Sequence, residues 1–212
     1  MNRFPCPAAP APTRTPLLIT RRHAMLSAFG LGLSGAVLAQ TGAVPRKDEP
    51  MTIRFRDGDF VHRWSKNGQH EFTPPAQTDL QRWTDMLTLN VHAGSTNGDQ
   101  LAVVANSVLA NYQRHGKILQ TRSTPRTATQ PAEHLIVAVL GTPELLEATF
   151  ARCLLIGGGG LVAVYSHRVY GKAVGPAMSQ WLAANGQQVE QALMGWKQMP
   201  AVAGLARLPT SA

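Results

Sequence analysis

Histidine and carboxylate side chains are the groups in this chain that could carry acid–base or metal chemistry. Six histidines follow residue 39, and no two of them have the i, i+4 spacing that places two metal ligands on one helix face. His134 and His167 lie in segments that we expect to be strands of one sheet, and Glu147 lies between them in sequence. A hydrolytic or metal-binding site would use these three residues, provided that their side chains share one face.

Other catalytic signatures give little support for an enzyme. The sequence has no G-x-S-x-G elbow, and Ser166 precedes His167 directly, so their side chains point apart in a strand. The run Gly157–Gly160 could cradle a phosphate or connect two strands. A phosphate loop continues into Lys and Ser/Thr at the start of a helix, whereas LVAVY follows here. We therefore favour a hairpin connection.

Four polar or aromatic residues could instead form a binding surface. They are Arg152, Tyr165, His167 and Arg168. We interpret this set, called the surface cluster below, as the contact site for a protein partner, because no catalytic motif accompanies it. The four tryptophans are most simply core anchors, and the alternative is that one or two form a carbohydrate platform.

Cysteine usage indicates a thiol without a bonding partner. Cys6 lies ahead of the export signal described below, which leaves Cys153 alone in the mature chain. One cysteine cannot form an internal disulfide, and it lacks the ligand spacing of a structural zinc site. We expect a buried thiol; a reactive thiol and an intermolecular disulfide are the alternatives.

The net charge of +8 is concentrated at the amino-terminal end. Residues 1–39 carry four arginines and no acidic residue, which leaves a net charge of +4 for the rest of the chain. The remaining basic residues are scattered rather than clustered. Nucleic acid is therefore not expected as a partner. The hydrophobic content of 44% is sufficient for an ordinary core.

Residues 1–39 predict export. Arg21 and Arg22 precede the weakly apolar stretch LSAFGLGLSGAVLA, and Ala39 fits the last position before cleavage, so the mature chain would begin at Gln40. The paired arginines resemble a twin-arginine translocation signal; the general secretory route is the alternative. The resemblance implies that the partners during export are the twin-arginine translocase and signal peptidase, and that the location is periplasmic or secreted. The segment is too short and too rich in glycine for a membrane span.

The surface cluster depends on strands near the middle of the chain. Three strands are expected there, over Leu135–Leu140, Leu145–Ile156 and Leu161–Tyr170. We predict a register in which Arg152 lies opposite Tyr165 and shares a face with His167, a placement that a one-residue slip would reverse. Asp57–Gly58 and Asn67–Gly68 predict two further hairpin turns.

Two helical segments complete the pattern. Apolar residues at spacings of three and four predict a helix over Leu101–His115, with Asp99 as its N-cap. A second helical region covers Val174–Trp196 and is expected to be interrupted at Asn185–Gly186. Runs of strands with segregated helices indicate an α+β fold, in which an antiparallel sheet is flanked by helices in a single domain.

The expected organisation has four parts. They are a signal peptide with a disordered extension (1–39), a linker (40–50), the α+β domain (51–199) and a flexible tail (200–212). The order of EFTP, WTDMLTLNV, the first helix, the three strands and the closing helix resembles the PsbP/Mog1-like fold over Glu71–Trp196. Members of that group are mostly small binding or assembly factors, and several are exported. The resemblance carries no catalytic residues.

These observations favour an exported, non-enzymatic protein that binds an envelope partner or assists its assembly, with no cofactor. The surface cluster would be its contact site. The alternative is a periplasmic hydrolase, or a metal-binding or small-molecule-binding protein, that uses His134, His167 and Glu147.

Overall fold

A computed structural model of the chain describes residues 50–211. The strands are β1 Thr52–Phe55, β2 Gly58–Lys66, β3 Gln69–Thr73, β4 Asp85–His92, β5 Gly116–Thr124, β6 Glu133–Thr142, β7 Leu145–Ile156 and β8 Gly159–Tyr170. The helices are α1 Gly98–His115, α2 Val174–Gly195 and α3 Val202–Leu205. The predicted α+β fold, an antiparallel sheet with flanking helices, is confirmed. The export motif Arg21–Arg22 and the cleavage site Ala39–Gln40 lie outside the described residues.

All eight strands form one antiparallel sheet in the order β1-β2-β3-β4-β8-β7-β6-β5. Six of the seven pairings join strands that follow one another in the chain, so the sheet consists of two meanders, β1–β4 and β5–β8. The seventh pairing, between β4 and β8, is the seam between the meanders. Helix α1 connects β4 to β5 across one face of the sheet.

Each face of the sheet buries its own core. Helix α1 packs on β5, β6 and β7, and α2 packs on β7 and β8 from the opposite side; we call these the α1 face and the α2 face. The α2 face holds the larger core, which includes Phe72, Leu87, Leu89, Phe150, Leu161, Met178 and Leu193. The α1 face holds a smaller one, which includes Leu101, Ala105, Tyr112, Ile136 and Cys153.

The glycine run forms a shorter turn than the sequence suggested. Ile156 pairs with Gly159, and only Gly157 and Gly158 form the loop, with φ of 59° and 84°. Positive φ at both loop residues is the requirement of a type I′ hairpin turn. Gly160 lies in β8, where an added Cβ would be 2.8 Å from the Cβ of Ser95, so glycine allows the loop after β4 to approach.

This turn shifts the register of β7 against β8 by two residues from the prediction. Arg152 pairs with Ala163, and Phe150 pairs with Tyr165. Because side chains alternate with a period of two, a shift of two residues exchanges the cross-strand partners but leaves every side chain on the predicted face.

The other two hairpin predictions had different outcomes. Asn67–Gly68 is confirmed as a turn, with φ of 52° and 80°. The first turn is Arg56–Asp57 rather than Asp57–Gly58, because Phe55 pairs with Gly58 and Gly58 belongs to β2. Arg56 takes the positive φ there, at 53°.

The helices depart from prediction at one cap and one break. The N-cap of α1 is Asn97, whose side chain accepts a hydrogen bond from the backbone N–H of Gln100 at 3.0 Å, and Asp99 lies in the first turn. Helix α2 continues through Asn185–Gly186, so the predicted interruption is wrong. Burial of apolar residues beyond that point holds this half of the helix on the sheet and outweighs the low helix propensity of glycine.

The segment assigned to a flexible tail carries a short helix and contacts the sheet. Leu205 of α3 is fully buried in the core of the α2 face. The backbone N–H of Ser211 donates to the carbonyl of Ser65 at 2.7 Å. A single well-placed leucine is a weak sequence signal, yet here it anchors the segment. Within residues 50–211, no helix has the length and apolar character needed to cross a membrane.

Candidate functional site

A polar network lies on the α2 face where β4 begins and β8 approaches its end. Asp85 is the first residue of β4 and pairs directly with His167 of β8. Tyr165 lies two residues before His167 and therefore projects from the same face. The Oδ1 atom of Asp85 accepts hydrogen bonds from the hydroxyl of Tyr165 at 2.6 Å and from Nδ1 of His167 at 2.9 Å.

Helix α2 supplies the fourth member of this site. The indole ring of Trp181 stacks on the imidazole ring of His167, with centroids 3.9 Å apart and planes within 4°. The carboxylate selects the tautomer that carries its proton on Nδ1. The stacking and the hydrogen bond thus fix the orientation of His167, and in the neutral imidazole Nε2 carries an acceptor lone pair.

The network keeps Asp85 ionised. Burial alone would raise the pKa of this carboxyl, but the hydrogen bonds from His167 and Tyr165 outweigh burial and hold the pKa below its usual value. Burial, followed by the negative charge of Asp85, raises the pKa of Tyr165. Tyr165 therefore remains a protonated donor to an ionised acceptor at neutral pH.

The network borders a cleft of about 480 Å³, which lies within the usual size range of small-ligand sites. Its walls are the β1–β2 turn, the segment Pro74–Pro75 and the middle of α2. Three aspartates, Asp57, Asp59 and Asp85, line the cleft against one arginine, Arg56, and Asp59 is paired with Arg54, which lies outside the lining. The aromatic rings of Phe55, Phe60, Tyr165 and Trp181 also contribute to the lining. We refer to it as the acidic aromatic cleft.

The structure divides the surface cluster. Tyr165 and His167 line the acidic aromatic cleft, but Arg152 is buried. Its guanidinium binds both carboxylate oxygens of Glu133 at 2.9 Å. It also donates to the carbonyl oxygens of Leu193 at 2.9 Å and Trp196 at 3.3 Å, where α2 ends. Arg152 therefore joins β6, β7 and α2 and offers no contact surface.

Arg168 lies on the opposite face from His167, because adjacent strand residues point in opposite directions. Its Nε atom donates to Oε2 of Glu147 at 2.8 Å, and its guanidinium lies 3.8 Å from the centroid of the Trp83 ring. Arg168 is thus held by one carboxylate and one aromatic ring on the α1 side of the sheet. Arg168 and His167 therefore cannot contribute to one contact surface on a single face of the sheet.

The residues of the alternative, enzymatic hypothesis are also separated. His134 pairs with Cys153 and lies on the α1 face, as does Glu147, which is six residues away along β7. His167 lies on the α2 face. The structure does not bring these three together, and within residues 50–211 no three His, Cys, Asp or Glu side chains are placed to hold a metal ion.

Sequence reasoning missed Asp85, and for Trp181 it favoured a core role over a ligand-binding platform. Asp85 enters the site through the β4–β8 pairing, which joins distant parts of the chain. Its one local signal is its position at the start of the alternating strand DMLTLNV. Trp181 does pack against Phe150, as a core residue would, but it also stacks on His167 and lines the cleft.

Cys153 is a buried thiol, as expected. It is fully enclosed between the sheet and α1, and burial raises its pKa to about 12. The thiol therefore stays protonated at neutral pH, which is the unreactive form of cysteine.

Two comparisons with known proteins bear on the function of the site. No protein-family model matches the chain. A search of curated proteins likewise finds no match. The function of the site therefore has to be argued from its geometry.

Proposed function

We propose that this is an exported, non-enzymatic protein that binds a cationic group of an envelope partner in the acidic aromatic cleft. The observation that carries the proposal is the ionised carboxylate of Asp85, held between Tyr165 and His167 in a cleft whose lining has three aspartates and one arginine. The pairing of Arg21 and Arg22 supports export to the compartment where such a partner would be met.

Carboxylates combined with aromatic rings favour cations for two reasons. Ring faces attract a positive charge through their quadrupole, and a carboxylate forms strong, charge-assisted hydrogen bonds with guanidinium or ammonium groups. A carboxylate has about four acceptor positions, and Tyr165 and His167 occupy two of them at Asp85. Acceptor capacity therefore remains for a lysine or arginine side chain of a partner.

Isothermal titration of the mature chain with arginine amide and with choline tests this proposal. We expect saturable binding of at least one of these probes at low salt, and at least tenfold weaker binding by Asp85→Asn. Asp99→Asn is the matched control, because Asp99 is an exposed aspartate of α1 on the other face. The proposal fails if neither probe binds, or if Asp85→Asn binds as the parent protein does.

Export by the twin-arginine route is tested separately. The double substitution Arg21→Lys and Arg22→Lys should leave uncleaved precursor in the cytoplasm, whereas the parent chain should be recovered with Gln40 at its amino terminus. Normal secretion of the double variant would exclude this route.

A second function is favoured by the hydrogen bond between Asp85 and His167. A carboxylate bonded to Nδ1 of histidine orients the ring so that Nε2 can act as a general base, and His167 lines a cleft. This version of the hydrolase hypothesis replaces His134 and Glu147 by Asp85. Turnover of p-nitrophenyl esters that is lost in His167→Gln and kept in Asp99→Asn would favour it over binding alone.

A further inference from the structure

The α1 face is only partly covered by its helix. Helix α1 packs on β5, β6 and β7, whereas no helix within residues 50–211 packs extensively on β2, β3 or β4. The space between α1 and this uncovered half is a groove of about 600 Å³. It lies on the opposite side of the sheet from the acidic aromatic cleft, so it is independent of the function proposed above.

Sheet register shows how the groove is organised along its length. Lys66, Gln69, Asn90 and Val162 form one row across the sheet, and Trp64, Glu71, Thr88 and Val164 form another row two residues away. Rows two residues apart are separated by about 7 Å. The first row, with His92 beyond it, makes one end of the groove polar. The second row places Trp64 and Val164 toward the other end.

The deeper part of the groove is apolar. Its floor includes Val162 and Val164, which are buried, and its helical wall includes Val104, Val108 and Tyr112. Val103 of α1 is 66% exposed at the rim and is the more exposed of the two large apolar side chains that are exposed within residues 50–211. Covering such apolar surface with an apolar ligand removes it from water, which is favourable in free energy.

One charged side chain, Lys66, is found among the groove-lining residues. Lys66 forms no ion pair within the described part of the chain. The nearest carboxylate in the two rows, Glu71, accepts a hydrogen bond from Gln69 at 2.8 Å and does not line the groove. Burial lowers the pKa of His92, which is therefore a neutral hydrogen-bonding group at pH 7.

We infer that this groove binds a single-chain anionic amphiphile, with its carboxylate at Lys66 and its hydrocarbon chain along Trp64, Val104 and Val108. The apolar interior contacts the hydrocarbon chain of the ligand, and the unpaired ammonium group of Lys66 at one end pairs with its carboxylate. The volume of this open groove falls within the usual size range of small-ligand sites.

Dodecanoate, used below its micelle-forming concentration, is the probe that tests the inference, with dodecanol and dodecyltrimethylammonium as its neutral and cationic counterparts. Isothermal titration of the mature chain should show saturable binding of dodecanoate and weaker binding of the trimethylammonium compound. Lys66→Met should weaken dodecanoate binding roughly fivefold, the value of a partly exposed ion pair of about 1 kcal/mol, and leave dodecanol binding unchanged. Lys172→Met, at an exposed lysine outside the groove, should leave both unchanged.

Ser107→Trp provides a second variant that should still fold, because Ser107 is an exposed residue of α1 that lines the groove. The new ring would fill the groove, so binding of both dodecanoate and dodecanol should be lost. The inference is overturned if dodecanoate does not bind, if Ser107→Trp binds it as tightly as the parent chain, or if the cationic amphiphile binds equally well. The Asp85→Asn variant should bind dodecanoate normally, which separates this site from the acidic aromatic cleft.

Discussion

Replacing Arg152 by methionine is expected to destabilise the protein strongly without removing a contact surface. The arginine side chain is 9% exposed and bridges Glu133, on β6, to the carbonyl oxygens that end α2. Methionine keeps much of the apolar stem but donates no hydrogen bond. The substitution therefore leaves a carboxylate and two helix-terminal carbonyls without the donor that serves all of them.

The size of the effect follows from the burial of these groups. Removing one partner of a buried ion pair costs about 3–5 kcal/mol. Glu133 is 26% exposed, so water can solvate part of its charge, and we take the lower end of that range. The carbonyl of Leu193 belongs to a fully buried residue, so water can hardly replace the hydrogen bond that it loses. We expect a loss of about 3 kcal/mol in the free energy of unfolding, or roughly 10 °C in Tm for a domain of this size.

Urea denaturation followed by circular dichroism measures this loss. Arg54→Met is the control, because Arg54 and Asp59 are 62% and 50% exposed and such a pair contributes at most about 1 kcal/mol. The double variant Arg152→Met, Glu133→Leu should regain part of the loss, since it leaves no unpaired charge. A loss in Arg152→Met no larger than that of the control would refute the reasoning. Unchanged stability with impaired partner binding would restore Arg152 to the surface cluster.

Three further outcomes are expected. Gly141→Ala should lower the free energy of unfolding by at least about 3 kcal/mol, because φ is 133° and an added Cβ would collide with a backbone carbonyl. Gly94→Ala, with open space around the added Cβ, should be nearly neutral in thermal melts. Burial lowers the pKa of both His62 and His70 from 6.5. Below that pH the unfolded chain binds more protons than the folded protein, so the free energy of unfolding should fall on acidification. Urea titrations at pH 5 and 8 should show a smaller fall for His70→Asn than for the parent protein. Cys153 should resist Ellman's reagent until the protein is unfolded, and labelling of the native chain would contradict its burial.

Local signals in the sequence were sufficient for most individual elements. The bounds of β7 match the prediction, and α1 extends the predicted helix by three residues at its start. Apolar periodicity and turn residues act over a few positions, so they can be read along the chain. The continuous path of α2 through Asn185–Gly186 was not visible, because contacts with the sheet decide it.

The candidate site was predictable only in part, because its members come from distant strands. Tyr165 and His167 were identified from their chemistry, and their common face follows from strand alternation. Asp85 was not identified, since nothing local shows that β4 pairs with β8. Charge alone does not mark a contact surface at Arg152 and Arg168, because their guanidinium groups pair with Glu133 and Glu147 and support the fold.

The seam between β4 and β8 has a consequence for the order of events during synthesis. Every other strand pairing joins neighbours in sequence and can close as a hairpin soon after both strands emerge. The pairing of β4 with β8 can form only after β8, the last strand to leave the ribosome, has emerged. Until then β4 presents an unpaired edge with the apolar side chains of Leu87 and Leu89 beside it, which is the kind of edge that pairs with other chains. The nascent chain is therefore most prone to aggregation between the emergence of β4 and the emergence of β8.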